Sequence, residues 1–198
     1  MKVLVACEFS GIVREAFRAK GHNAWSCDIL DSENPSDFHW KGDVAPLLSH
    51  DWDMIIAHPP CTYLANAGLH YLKSRPERKA QLEDAYEFVK SIWGAPCKKV
   101  CIENPIGWLN THWMRPHQII QPYFFGVKEL KTTCLWLKGL PPLMATNVTE
   151  KPQPKGFVIR KTGKVGKKYN YHWRQSKSAH NRSRTFQCIA DAMAEQWG

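Results

Sequence analysis

The sequence predicts an α/β fold, a mostly parallel β-sheet with helices on both faces. Three observations lead there. Short apolar runs with the length of buried strands recur along the first half: KVLVAC at 2–7, the stretch from Gly21 to Asp28, WDMIIA at 52–57 and KVCIE at 99–103. Segments of helical period, 12–20 and about 75–93, lie between them. The chain has 198 residues, 43% of them apolar, which suits one domain with a real core and not two large ones.

Each element has a local reason. Residues 12–20 place Ile12, Val13, Ala16 and Phe17 on one helical face, and Gly21 ends the helix. Residues 31–41 are polar and carry Pro35, so they read as a loop. Pro59 and Pro60 stop the strand at 52–57. The long helix from about Arg75 to Trp93 has Ala80, Ala85, Phe88, Val89 and Ile92 as its apolar stripe, and Gly94 and Pro96 close it. Beyond KVCIE, two strand candidates, 119–125 and 133–138, flank a turn at Gly126. The chain closes on a helix over 186–197, FQCIADAMAEQW. Three parts are expected: a core over 1–150, a basic segment over 151–185, and a C-terminal helix over 186–198 that packs back on the core.

Composition narrows the function classes. No run reaches the roughly 20 apolar residues that a membrane helix needs, and the N-terminal MKVLVACEFSG reads as a strand and not as a signal peptide. The seven cysteines form no Cys-x-x-Cys pair, which argues against a disulfide framework or a zinc knuckle, and no metal site is expected. Most of them sit in apolar runs, as small hydrophobes. A reducing, cytoplasmic compartment is the expectation.

Charge is segregated. Residues 151–185 carry eleven Lys and Arg and no acid, whereas the formal charge of the whole chain is +9. The same segment holds Phe157, Tyr169, Tyr171, Trp173, His172 and His180. Cations interleaved with aromatics suit a phosphate backbone and exposed bases, although a solvated tail would have similar composition. Lys164, Lys167, Lys168, Arg174, Arg182 and Arg184 are the candidate DNA contacts.

Three stretches at strand ends carry the candidate chemistry, since ligands of open α/β sheets bind at the carboxyl ends of the strands. Phe9-Ser10-Gly11 follows the first strand and Asp28 ends the second, where an acid can bind a ribose hydroxyl. Alone, these residues also fit an ordinary strand–turn–helix. His58-Pro59-Pro60-Cys61 holds a thiol on a stiff loop, which a nearby cation or helix N-terminus must activate if it is a nucleophile. A structural cysteine in a proline turn is the plainer reading. Glu103-Asn104-Pro105 ends the next strand and aims a carboxyl at the same cleft; an isolated Glu is otherwise a cap or a surface acid.

Taken together, FSG (9–11), Asp28, GDV (42–44), PPC (59–61) and ENP (103–105) resemble, in order and approximate spacing, the motifs of DNA cytosine-5 methyltransferases. The compact length is similar to the short cytosine methyltransferase-like proteins of phages and prophages. The resemblance covers residues 1–140 well and the final helix loosely. It implies a Rossmann-like, S-adenosylmethionine-dependent methyltransferase fold, with the short basic segment in place of a large target-recognition domain. It further implies that Phe9, Ser10, Gly11, Asp28, Ile29, Asp43, Val44 and Pro60 line the cofactor pocket. Cys61 would be the nucleophile, Glu103 its acid partner at the cytosine, and Lys131 a cation beside the flipped base. The substrate would be double-stranded DNA with its target cytosine rotated out of the helix, and no obligatory protein partner is implied.

The chain departs from the family at several points. Ile12 and Val13 stand where further glycines are usual, His58 and Thr62 flank the PPC loop, and ENV is replaced by ENP. The family's Gln-x-Arg-x-Arg aligns with Glu129, Lys131 and Thr133, so that Arg182 or Arg184 would have to supply the missing charge. The alternatives are an amino-methyltransferase acting on N4 or N6, an enzyme modifying a free nucleotide, and a DNA-binding homologue with reduced catalysis.

Overall fold

Five parallel strands build the sheet from one edge to its middle, and a hairpin completes the other edge. The computed structural model describes residues 1–153, 157–159, 165–168 and 179–198. Strands β1 (Lys2–Ala6), β2 (Asn23–Asp28), β3 (His39–Lys41), β4 (Met54–Ala57) and β5 (Lys99–Pro105) run parallel. β6 (Gln118–Ile120) and β7 (Thr133–Lys138) follow, and the order across the sheet is β3–β2–β1–β4–β5–β7–β6. β7 is antiparallel to both of its neighbours. The α/β class is therefore as expected, compatible with a Rossmann-like sheet.

Two apolar layers sandwich the sheet, because its central strands are buried on both faces. On one side Val3, Val5, Met54 and Ile56 meet Val13 and Phe17 of α1 (Ile12–Ala19), and Ile189, Met193 and Trp197 of the closing helix (Gln187–Trp197). On the other side Leu4, Ile55, Val100 and Ile102 meet Leu82, Val89 and Ile92 of a long helix (Arg78–Trp93). Among the described residues no helix is long and apolar enough to cross a membrane.

Several local expectations need correction. Residues 39–41 are not loop but strand β3, in register with β2 from Ser26↔His39 to Asp28↔Lys41; three residues are too few to show a period, and the free edge of β2 supplies the pairing. The expected strand 119–125 is only Gln118–Ile120, because Pro122 has no N–H for the ladder and opens a 3-10 turn over Pro122–Phe124. The long helix starts at Arg78 instead of Arg75, since Arg75 precedes Pro76 and is biased away from helix. Its Ala80 is exposed, and Leu82 takes the buried position. Helix α1 buries Arg14 beside Val13, Ala16 and Phe17.

Candidate active site

The sheet order reverses direction between β1 and β4, and the crevice outside their carboxyl ends is where such sheets bind ligands. The loop after β4 begins with His58, whose N–H donates to the Ala6 carbonyl at 2.9 Å. Pro59, Pro60 and Cys61 follow, and the Cys61 carbonyl accepts from Leu64 and Ala65 N–H at 3.1 and 2.9 Å. The neighbouring strand β5 clamps this loop. Asn104, fully buried, donates from Nδ2 to the Pro59 carbonyl at 2.9 Å. Trp108 N–H donates to the Leu64 carbonyl at 2.7 Å. Gly107 permits that approach, since a Cβ there would lie 2.0 Å from the Leu64 oxygen. The thiol loop and the carboxyl-bearing strand are thus one packed unit.

Glu103 is 12% exposed and its Oε2 lies 2.8 Å from Nδ1 of His58, itself 9% exposed. Burial works to raise the Glu103 carboxyl, but the His58 hydrogen bond, the charges of Lys131 and His58 and the Thr133 hydroxyl outweigh it and hold it at about 2. Glu103 is therefore a carboxylate at neutral pH. The Cys61 residue is exposed, yet desolvation of its sulfur and the nearby Glu103 charge push the thiol upward. Lys131 and Arg182 act in the opposite direction. The expected activating cations are present, but in this state carboxylate and desolvation prevail over them.

Lys131 donates from Nζ to the Arg184 carbonyl at 2.8 Å. With Glu103, Thr133, Thr185 and Phe186 it lines a cavity of about 10 Å³, room for about one water.

A second cluster lies at the ends of β1 and β2. Cys7 and Gly11 both have left-handed backbone, φ 59° and 72°, and so bend the chain sharply into α1. Between them Glu8 turns inward. Its Oε1 accepts from Val13 N–H at 2.6 Å and its Oε2 from Arg14 N–H at 3.2 Å, which satisfies the start of the helix with a carboxylate. Burial raises the Glu8 carboxyl, opposed first by the charge of His58. Asp28 and Asp43 face the same spot, since both charges act on the Cys7 thiol. Asp28 accepts from Leu30 N–H and Asp43 from Ala45 N–H, both at 3.0 Å. Phe9, Ser10 and Val44 are buried, Pro60 is exposed, and Ile29 is left 75% exposed beside Asp28.

A short helix (Ala179–Ser183) lies across this cluster. The His180 ring sits 4.4 Å from that of Phe9, while His180 Nε2 and Arg184 Nη2 both bind Glu33 Oε1. Glu33 N–H in turn donates to the Phe9 carbonyl at 2.8 Å. Of the candidate DNA contacts, Arg182 therefore acts on Cys61 and Arg184 on Glu33. Lys167 and Lys168 fall in strand β9 (Val165–Lys168), which pairs with β8 (Phe157–Ile159). Their side chains, and Lys164 and Arg174 altogether, lie outside the described residues.

The structure brings together Cys61, Glu103, Lys131 and Arg182 in one place, and Phe9, Asp28 and Asp43 in the adjoining one. Sequence reasoning missed Glu8, Asn104, Glu33 and the pairing of His58 with Glu103. Glu8 had a local signal, an acid just ahead of a helix start; the others depend on distant partners. No family model and no curated protein matches the chain.

Proposed function

We propose that this protein transfers a methyl group from S-adenosylmethionine to carbon 5 of cytosine in DNA, with Cys61 as covalent nucleophile. The observation that carries the reading is the joining of Cys61 and Glu103 through the Asn104–Pro59 hydrogen bond, at the carboxyl ends of two adjacent strands and beside Lys131.

The cofactor region fits this reading. Asp28 and Asp43 offer acceptors for ribose hydroxyls and an adenine amine, and the exposed Ile29 offers apolar surface to a ring. The start of α1, where a dinucleotide's pyrophosphate would dock, is taken by the Glu8 carboxylate. That suits a cofactor without phosphates and argues against NAD or a nucleotide triphosphate at this helix. S-adenosylmethionine supplies, when bound, an electrophilic methyl group.

The residues then have distinct tasks. Carbon 5 of cytosine is a poor nucleophile until a thiolate adds to carbon 6, a step in which Cys61 forms the carbon–sulfur bond. Glu103 binds the N3 and 4-amino edge and steadies the base while electron density shifts toward carbon 5. Lys131 and Arg182 offset the nearby negative charge. The basic segment supplies sequence-tolerant attraction to the phosphate backbone.

A duplex containing 5-fluorocytosine tests the reading, because fluorine cannot leave as a cation and the adduct stalls. With cofactor present, the protein should form a denaturation-resistant adduct through Cys61, and Cys61→Ser should form none. A Cys61→Ser variant that still methylates DNA at near the original rate would overturn it and favour an amino-methyltransferase. The raised Cys61 thiol favours a second reading, a DNA-binding homologue without catalysis; such a protein would bind DNA and form no adduct.

A further inference from the structure

We propose that His58 is the proton source for Glu103, delivering through that carboxyl the proton that cytosine N3 takes up when Cys61 adds to carbon 6. The inference rests on the carbon-5 reading above and deepens it. Addition at carbon 6 needs a proton at N3, and Glu103 is a carboxylate with no proton of its own to give. A carboxylate facing the N3 lone pair repels it unless a proton lies between them. His58 is the adjacent group able to supply one: its Nδ1 lies 2.8 Å from Glu103 Oε2, and the pair is nearly buried. Imidazole is also the side chain whose charge changes between about pH 5 and 8.

The other ring nitrogen, Nε2, is buried and has no hydrogen-bond partner among the described residues. Among the described residues, the charged and titratable groups around the pair are Glu8 from the loop after β1, Lys131 from the β6–β7 connection, Cys61 on the His58 loop, Cys101 on β5 and Cys134 on β7.

The Cys61 thiol gives its proton to solvent, and the sulfur lone pair forms the bond to carbon 6. The carbon 5–carbon 6 π pair moves to form a double bond between carbons 4 and 5, and the carbon 4–N3 π pair moves onto N3. His58 Nδ1 passes its proton to Glu103 Oε2; a half-turn about the Cγ–Cδ bond presents that O–H to N3, which takes it. Glu103 is again a carboxylate, and His58 is neutral. When the thiol leaves, the N3 proton returns by the same route. His58 never touches the base, so it is a positioning residue that acts through Glu103.

The test measures the single-turnover rate of adduct formation with 5-fluorocytosine duplex against pH, for the original protein and His58→Asn. Asn keeps an N–H near the Nδ1 position but does not titrate. The original protein should give a bell: rate rises as Cys61 ionises and falls as His58 loses its proton. His58→Asn should be slowed about 10²-fold, the lower end for general acid–base catalysis, and should lose the alkaline fall. Unchanged DNA affinity and unfolding midpoint would show that the variant is folded. Separately, NMR titration of the His58 ring should show its midpoint lowered in Glu103→Gln, where the carboxylate charge is gone. An alkaline fall that persists in His58→Asn, or a His58 midpoint indifferent to Glu103→Gln, would overturn the relay while leaving the carbon-5 reading intact. A protein that forms no adduct at any pH would overturn that reading and the relay with it, even with His58 and Glu103 titrating as a pair.

Discussion

Asn104 Nδ2 donates to the carbonyl of Pro59 across 2.9 Å, and through that bond the strand that carries Glu103 holds the loop that carries Cys61. Both partners are buried. Asn104→Ala would leave the Pro59 carbonyl unsatisfied, at a cost of about 1–3 kcal/mol, readable as a lowered urea midpoint. Methyl transfer should fall further than stability does, because the thiol and the carboxyl lose their common reference. Asn104→Ala with original activity would mean that the two loops are aligned by packing alone.

The thiol chemistry can be read without DNA. Desolvation and the Glu103 charge raise the Cys61 thiol, so at neutral pH its thiolate fraction is below that of an ordinary cysteine. Iodoacetamide should label Cys61 more slowly than a cysteine in an unstructured peptide, with the rate climbing as pH rises. Glu103→Gln should speed labelling and Lys131→Met should slow it, with peptide mass spectrometry locating the label. Labelling slowed by Glu103→Gln would show that the carboxylate does not act on the thiol.

Asp28 offers a direct test of the cofactor region. If it accepts a ribose hydroxyl, Asp28→Ala weakens S-adenosylmethionine binding by about 1–3 kcal/mol, measured by calorimetry on folded protein. Unchanged affinity would remove Asp28 from the pocket.

The grip of the Ala179–Ser183 helix on the Phe9 loop should depend on pH. Hydrogen bonding from Arg184, aided by His180, holds the Glu33 carboxyl below its ordinary value. A depressed carboxyl contributes stability that is full above its unfolded-state value and drains away as pH falls through the folded one. Amides of residues 179–184 should therefore exchange faster as the solution is acidified below the usual carboxylate range. Glu33→Gln should show that fast exchange already at neutral pH. Exchange in this segment that is independent of both would remove Glu33 as its anchor.

Gly11 should be intolerant of a side chain. It has φ 72°, and a Cβ would lie 2.6 Å from Arg14 Nη2. Arg14 has little freedom to retreat, since it is fully buried and donates to Ser26 Oγ at 2.7 Å and to the Asn34 carbonyl at 3.0 Å. Gly11→Ala should cost about 1–3 kcal/mol of stability from backbone strain. A variant as stable as the original would show that the Arg14 network yields easily.

What could be read from the sequence was local. The apolar runs of β1, β4 and β5 and the prolines after β4 place Cys61 and Glu103 at neighbouring strand ends before any coordinate is known. β3 could not be read, because its three residues acquire strand geometry only from the edge of β2. In the sequence His58 is only a departure from a motif; its meaning lies in Glu103, 45 residues on. Glu33 sits in a polar stretch with no period, and its partners His180 and Arg184 are about 150 residues away. Side-chain pairs of this kind leave no periodic trace in the chain.

The tie between the Ala179–Ser183 helix and Glu33 has a counterpart at the other end of the basic segment. There Asn147 and Thr149 donate from their backbone N–H groups to the carbonyls of Phe124 and Tyr123, at 3.2 and 2.9 Å. Both flanks are thus moored to the body by bonds of their own. The two ends are pinned independently of each other, so a break of the backbone between residues 154 and 178 would leave both of them seated on the core.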